Sequence, residues 1–400
     1  MKTILAFSGG LDTTYCAIYL HKQLGHEVHA VTVNTGGFSE EEISDIQKHA
    51  EQLGVSSYTC IDERKNYYQK IIKYLVFGNV LKNNTYPLSV SAERFVQAMA
   101  IAEFAKEHGA HAVAHGSTGA GNDQVRFDMV FNILCPDLKV ITPIRDQQLS
   151  REAEIEYLQQ NGVKMNFEKA AYSINKGLWG TSIGGRETLN SRQALPEEAW
   201  PTQLGKHTTE QISLTFQKGE LIGINEQQFA HPVDAIIALE VLAAPYAIGR
   251  DIHVGDTIIG IKGRVGFEAA APLMIIKAHH LLEKHVLTKW QLYWKDQIAD
   301  FYGNWLHEGQ FLDPVMRNLE TMMQSMQEHV SGKVYIELHP YRFTMSGIES
   351  SYDLMSPKFG SYGEMNRSWS GEDVKGFAKI FGNQVAIYEQ VRSETQKKQL

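Results

Sequence analysis

The chain reads as an α/β protein: a doubly wound parallel sheet, then a second α+β domain, then a C-terminal helical arm. Three observations predict this. Short apolar runs alternate with amphipathic helical stretches through the first 165 residues, the pattern of parallel strands joined by crossover helices. Two glycine-rich turns in that half each follow an apolar run and open a helix. Beyond residue 165 the pattern changes to longer mixed segments with hairpin-like alternation. Four hundred residues also exceed what one core usually serves, so boundaries are expected near 165 and 365, giving segments 1–165, 166–365 and 366–400.

Ile4-Leu5-Ala6-Phe7 is the first strand. Cys16, Leu20 and Leu24 recur every four residues with Ala17 beside them, which gives the first helix one apolar face, and Gly25 is placed to end it. Residues 28–33 form the second strand. Ser39 and Glu42 make a capping-box pattern before the stripe Ile43, Ile46, Ala50 and Leu53, and Gly54 closes that helix. Residues 56–61 read as a third strand, 91–108 as a helix and 111–115 as a strand. A glycine loop, a short helix and a strand over 139–142 complete this half. A sheet so built carries its ligand crevice at the carboxyl ends of the strands. In the second half, 212–216 and 220–224 pair through Lys218-Gly219 as a hairpin. Residues 233–242 and 269–289 read as helices, 257–261 and 334–338 as strands. Trp290, Tyr293 and Trp294, at helical spacing, read as core or interface. The last thirty residues are polar and helical, with a thin stripe of Val385, Tyr388 and Val391. That stripe reads either as an arm packed on another subunit or as a solvated tail.

A net charge of −8 and a pI near 6.1 argue against a general nucleic-acid or anionic-membrane surface. Cys16, Cys60 and Cys135 show no C-x-x-C spacing, and their odd number fits a reducing compartment. Met1-Lys2 leads straight into a strand, and no apolar stretch approaches the ~20 residues of a bilayer span, so a soluble cytoplasmic chain is expected.

The first turn, Ser8-Gly9-Gly10-Leu11-Asp12-Thr13-Thr14, suits a phosphate. Its glycines let the backbone approach an anion, Thr13 and Thr14 bring hydroxyls, and a helix N-terminus points at the same place. No G-x-x-x-x-G-K-[ST] and no G-x-G-x-x-G after the first strand occurs, so the lysine of ordinary ATPases is missing. The bland reading is a capped glycine turn without ligand. The second turn runs from His115 to Phe127 and contains Gly116, Thr118, Gly119, Gly121, Asn122, Asp123 and Arg126. Arg126 falls on the face of Asn122, and its planar fork could grip a carboxylate bidentately, with Thr118 and Asn122 completing the grip. The bland alternative is a capped helix with a surface arginine. His115 and Asp123 stand where a base could act, although a strand-end histidine is more often structural. His279-His280 are helix neighbours pointing apart and make no joint metal site.

With these motifs the sequence resembles the argininosuccinate synthase family, within the N-type ATP pyrophosphatases. The resemblance implies ATP as substrate, with Ala6, Phe7, Ser8, Gly9, Gly10, Leu11, Asp12, Thr13, Thr14, Val33, His115 and Gly116 at the nucleotide, and Mg²⁺ near Asp12. It implies citrulline at Tyr86, Ser91, Asn122, Arg126, Ser173 and Ser182, and aspartate at Thr118, Asn122 and Asp123. Asp12, Asp123 and Arg126 are the expected catalytic residues. The three segments become a nucleotide-binding domain, a synthetase and multimerisation domain, and an oligomerisation arm, in a homotetramer. One departure is specific: Gly255 and Phe267 stand where the family supplies a glutamate and a tyrosine, with Asp256 beside the first. Two other functions remain open to such a loop: tRNA thiolation, which needs reactive cysteines and a basic surface, and a non-catalytic ATP sensor.

Overall fold

Ile4 and Leu5, neighbours on the first strand, are both fully buried but belong to two different cores, the mark of a sheet covered on both faces. The computed structural model describes every residue except 120, 167–171, 356, 357, 359, 361, 365–367 and 400. Ala120 of the second turn and the expected boundary at 365–366 therefore lie outside the described residues. The strands β1 (Lys2–Ala6), β2 (Glu27–Asn34), β3 (Ser57–Asp62), β4 (Ala112–Ala114) and β5 (Lys139–Ile141) form one parallel sheet in the order β3-β2-β1-β4-β5. The order reverses at β1, so a crevice opens between β1 and β4 at their carboxyl ends. Around the sheet lie α1 (Leu11–Ile18), α2 (Glu40–Gln52), α3 (Glu93–Glu107), α4 (Asp123–Leu134) and α5 (Arg151–Gln160).

The punctuation of this half follows local chemistry. Ser39 and Glu42 satisfy each other's backbone N–H groups at the start of α2. Gly25 and Gly54 take the left-handed conformation that ends a helix, at φ +62° and +76°. Leu24 departs from the expected apolar face, being 41% exposed. After Ile18 the helix loosens into a π turn over Tyr19–Gln23, with Leu24 N–H bonded to the Tyr19 carbonyl, and the wider turn shifts the phase of the stripe.

The second half adds β6 (Tyr172–Gly177), β7 (Gly180–Gly185), β8 (Glu210–Gln217), β9 (Glu220–Ile224), β10 (Gln227–Gln228), α6 (Pro232–Ala243), β11 (Arg250–Asp256) and β12 (Lys262–Glu268). It continues through α7 (Ala270–Val286), α8 (Lys289–His307), α9 (Pro314–Met326), β13 (Gly332–His339) and β14 (Arg342–Glu349). One antiparallel sheet runs β10-β9-β8-β13-β14 and another β11-β12-β7-β6. Residues 257–261, expected as a strand, are instead the turn between β11 and β12. Thr257 bonds both backbone groups of Ile261 there, and Gly260 sits at φ +80°. The helix expected over 269–289 ends at Val286, because the Thr288 hydroxyl caps a new helix. Trp290, Tyr293 and Trp294 are 63%, 52% and 55% exposed, so they are not core.

Met1–Tyr352 form one compact unit and Asp353–Leu400 a second. The second unit carries α10 (Gly371–Phe381) and α11 (Asn383–Gln399), with Phe377, Ile380, Phe381, Val385, Tyr388 and Val391 exposed. No helix among the described residues is long and apolar enough to cross a membrane.

Candidate functional site

Because β1 and β4 are neighbours, the two glycine turns that follow them meet. Gly9 stands at φ +76°, which lets the chain double back, and Gly10 is the N-cap of α1. The Thr13 hydroxyl donates to the Gly10 carbonyl at 3.2 Å and lies 3.3 Å from the Ser8 hydroxyl, so the loop is braced from inside. A Cβ on Gly116 would lie 3.1 Å from both the carbonyl carbon and the Cβ of Asp12, tighter than ordinary packing. The second loop thus presses on the first only because Gly116 has no side chain.

A cavity of about 1120 Å³ opens over this junction, with β6, β7, β11 and β12 as its far wall. Ala6, Phe7, Ser8, Gly10, Leu11, Asp12, Thr13, Val33, His115 and Gly116 line it, as do Thr118, Asn122, Asp123 and Arg126. Tyr86, Ser91, Ser173 and Ser182, far apart in sequence, reach the same cavity. Two predicted residues do not line it. Gly9 shapes the turn, and Thr14 is fully buried with its hydroxyl 2.8 Å from His49 Nε2, because its position on α1 turns it toward α2.

The arginine grip also needs correction. Arg126 is 2% exposed, and its two outer nitrogens are already engaged by Asp123 Oδ1 and the His307 carbonyl, both at 3.0 Å. Its fork is therefore not an open bidentate clamp. Only Nε is left without a partner. Asp123 also accepts from Arg94 Nε at 2.9 Å. Burial works to raise its pKa, but the Arg94 and Arg126 charges overcome that and hold the carboxyl below its usual value. A carboxylate held so firmly ionised is a weak base. His115 bonds Asp128 at 3.0 Å and stacks on Phe127, occupied as a strand-end histidine. Asn122 accepts from the Ile258 N–H at 2.9 Å, tying the second loop to the β11–β12 turn.

Asp12 meets a partner that motif reading missed. Burial raises its pKa even though Glu154 on α5 hydrogen-bonds it, while burial and the nearby Asp12 push Glu154 up to about 8. Glu154 therefore keeps its proton at neutral pH. Arg151, one turn earlier on α5, lines the cavity beside them. Arg94, Lys176, His253, Arg264 and His307 also line it and were not singled out, since each sits in an ordinary helix or strand pattern with no local motif. Tyr86 stacks on His253 with centroids 5.1 Å apart and touches Phe267, which is fully buried opposite Ser182. Gly255 pairs with Gly263 on the wall.

Two family models cover nearly all of the chain. The arginosuccinate synthase N-terminal HUP domain matches residues 2–164 and the arginosuccinate synthase C-terminal domain matches residues 172–388. Relatives named argininosuccinate synthase agree along the whole length. That of Methanocaldococcus jannaschii is 35% identical, over 96% of this chain and 97% of its own. That of Dictyoglomus turgidum is 36% identical, over 97% of both chains. That of Xanthomonas campestris is 35% identical, over 97% of this chain and 98% of its own. The parallel sheet, the paired glycine turns and these matches agree: the chain belongs to the argininosuccinate synthase family of carbon–nitrogen ligases.

Proposed function

We propose that this chain condenses citrulline with aspartate, cleaving ATP to AMP and pyrophosphate by way of a citrullyl adenylate, in the cytoplasmic synthesis of arginine. The observation that carries the reading is the contact of the two loops at Gly116, which brings a phosphate turn and a polar amino-acid pocket into one cavity. The ureido oxygen of citrulline attacks the α-phosphorus and pyrophosphate leaves. The α-amine of aspartate then attacks the ureido carbon, loses its proton, and AMP departs. Ser8, Gly10, Thr13 and the start of α1 receive the pyrophosphate, with Gly9 shaping the turn, and Ala6, Phe7, Leu11 and Val33 bound the rest of the nucleotide. Thr118, Asn122 and Asp123 face aspartate, while Tyr86, Ser91, Ser173 and Ser182 face citrulline. Arg126 acts by fixing Asp123 and by its free Nε. Holding both substrates in near-attack geometry can contribute up to ~7–11 kcal/mol, and no side-chain nucleophile is needed.

A Mg²⁺ ion fits the donors at Asp12. Glu154 hydrogen-bonds that carboxyl, and Glu154 Oε2 is buried without a partner. The ion would be held by Asp12, with Glu154 buried behind it, together with phosphate oxygens, and would supply charge neutralisation of the leaving group. We further assign residues 1–165 to the nucleotide, 166–365 to the amino-acid substrates and 366–400 to subunit contacts in a homotetramer. The apolar residues exposed on α10 and α11 support that last role. The test is product analysis: AMP and pyrophosphate form only when citrulline and aspartate are both present. Turnover to ADP, or tight ATP binding without turnover, would refute the reading.

A further inference from the structure

The far wall of the cavity is poor in free negative charge. The following inference rests on the proposed reaction, in which the ureido oxygen must reach an α-phosphate held over Ser8 and Thr13. The amino-acid end of citrulline then lies against the wall of β7, β11 and β12. Among the described residues lining that wall, Asp256 supplies the carboxylate, and it is 68% exposed and closed by Lys262 at 2.5 Å. Deeper in the cavity, Glu93 and Asp123 are tied to Arg94 and Arg126. Lys176 and Arg264 line the same region, and Arg264 donates to backbone carbonyls of Glu187 and Gln193 rather than to an acid.

At the centre of this wall stands His253, 7% exposed, its ring stacked on Tyr86 and its Nδ1 buried without a partner. Burial, with the charges of His307 and Lys82, lowers its pKa to about 4, so the ring is neutral. Surroundings that keep an imidazole uncharged also oppose an ammonium in the same place. Beside the ring, Gly255 faces Gly263 with no side chain on either strand, and a Cβ on Gly255 would lie 2.7 Å from His253 Nε2. A substrate α-ammonium would meet a neutral ring here, with the Lys82 charge acting on the same place and the one carboxylate of the wall closed by Lys262. An α-amide would meet a hydrogen-bond acceptor and bare backbone.

We propose that the cavity accepts citrulline whose α-nitrogen is acylated and therefore uncharged, the amide N–H facing His253 Nδ1 and the acyl group lying over Gly255 and Gly263. The bonds made and broken are those of the ligation above, and the product is the corresponding Nα-acyl argininosuccinate, with AMP and pyrophosphate.

The test offers the full-length protein ATP, aspartate and either citrulline, Nα-acetylcitrulline or Nα-succinylcitrulline, and follows pyrophosphate release and product mass. The expected result is a kcat/KM for at least one acylated substrate no lower than one-tenth of that for citrulline. A site built to bind the free ammonium would reject both by far more, since unpaired polar groups discriminate by up to ~10⁴-fold or more. Values below one-tenth for both, with citrulline turned over, overturn the proposal and leave the ligase reading standing. No turnover of any of the three overturns the ligase reading as well. In a His253→Ala, Gly255→Glu double variant, where the new carboxylate has room, preference should move at least tenfold toward citrulline. An unmoved preference overturns the assignment to these two residues.

Discussion

Replacing Gly116 by alanine tests whether contact between the loops positions the reaction. The added methyl would stand 3.1 Å from the Asp12 carbonyl carbon and Cβ and 3.2 Å from the Thr13 N–H nitrogen, where ordinary contact begins at 3.4 Å. The loops must then part by about 0.3 Å, since the neighbours include backbone that cannot rotate away. Overpacking costs about 1–3 kcal/mol, and a displacement this small belongs at the low end, about 1 kcal/mol in a urea midpoint. Activity is more sensitive, because a 1 Å misplacement of reacting groups can cost about 10²-fold. Together, the strain and the displacement give a loss of about tenfold in kcat/KM in a folded protein. Pyrophosphate release at saturating citrulline and aspartate measures it. A variant within twofold of the parent would refute the argument that the loops must touch.

Other outcomes follow from the same geometry. Thr13→Ala, which removes the hydroxyl bracing the turn, should raise the KM for ATP about tenfold, the worth of a good hydrogen bond. Thr14→Ala should leave that KM within twofold while lowering stability by about 1–3 kcal/mol, through the unpaired His49; equal effects of the two on KM would contradict the placement. Asp123→Asn should destabilise by about 1–3 kcal/mol at neutral pH, less than a fully buried pair because the Asp123 side chain is 42% exposed. The sign with pH is fixed. The folded Asp123 pKa lies below its unfolded value near 4, so its contribution is complete above that value and disappears as pH falls through the folded pKa. Urea titrations should therefore show a shallower acid loss in the variant than in the parent. Ending the chain after Tyr352 should leave a folded unit of lower assembly mass by analytical ultracentrifugation; an unchanged assembly would remove the arm from subunit contacts.

The nucleotide half was legible because its signals are local. Apolar runs of four to six residues, a serine three residues before a glutamate and glycines at helix ends each report the backbone next to them, and Ser39, Gly25 and Gly54 behave accordingly. Even there, Leu24 was misplaced, since a π turn changes the helical period without a sequence mark of its own. Thr257 to Ile261 is rich in β-branched residues like a strand, but the segment closes on itself through the Thr257 side chain, a choice set by turn chemistry rather than apolar content. In the site, the two turns that line the cavity were legible and the relations between their residues were not. Asp12 with Glu154, Arg126 with His307, and Tyr86 with His253 join residues 142, 181 and 167 positions apart, and no pattern along the chain encodes such pairs. The reading of Arg126 as an open clamp failed for that reason. Spacing placed it on the right face, and only the fold shows that both outer nitrogens are already engaged and that Nε alone is left.

In the proposed reaction the ureido oxygen attacks the α-phosphate, and this oxygen can be followed. Citrulline labelled with ¹⁸O at the ureido position, incubated with ATP, aspartate and the protein, should yield AMP carrying one ¹⁸O in its phosphate, and an unlabelled amino-acid product, by mass spectrometry. AMP free of label, or label kept in the condensed product, would contradict it.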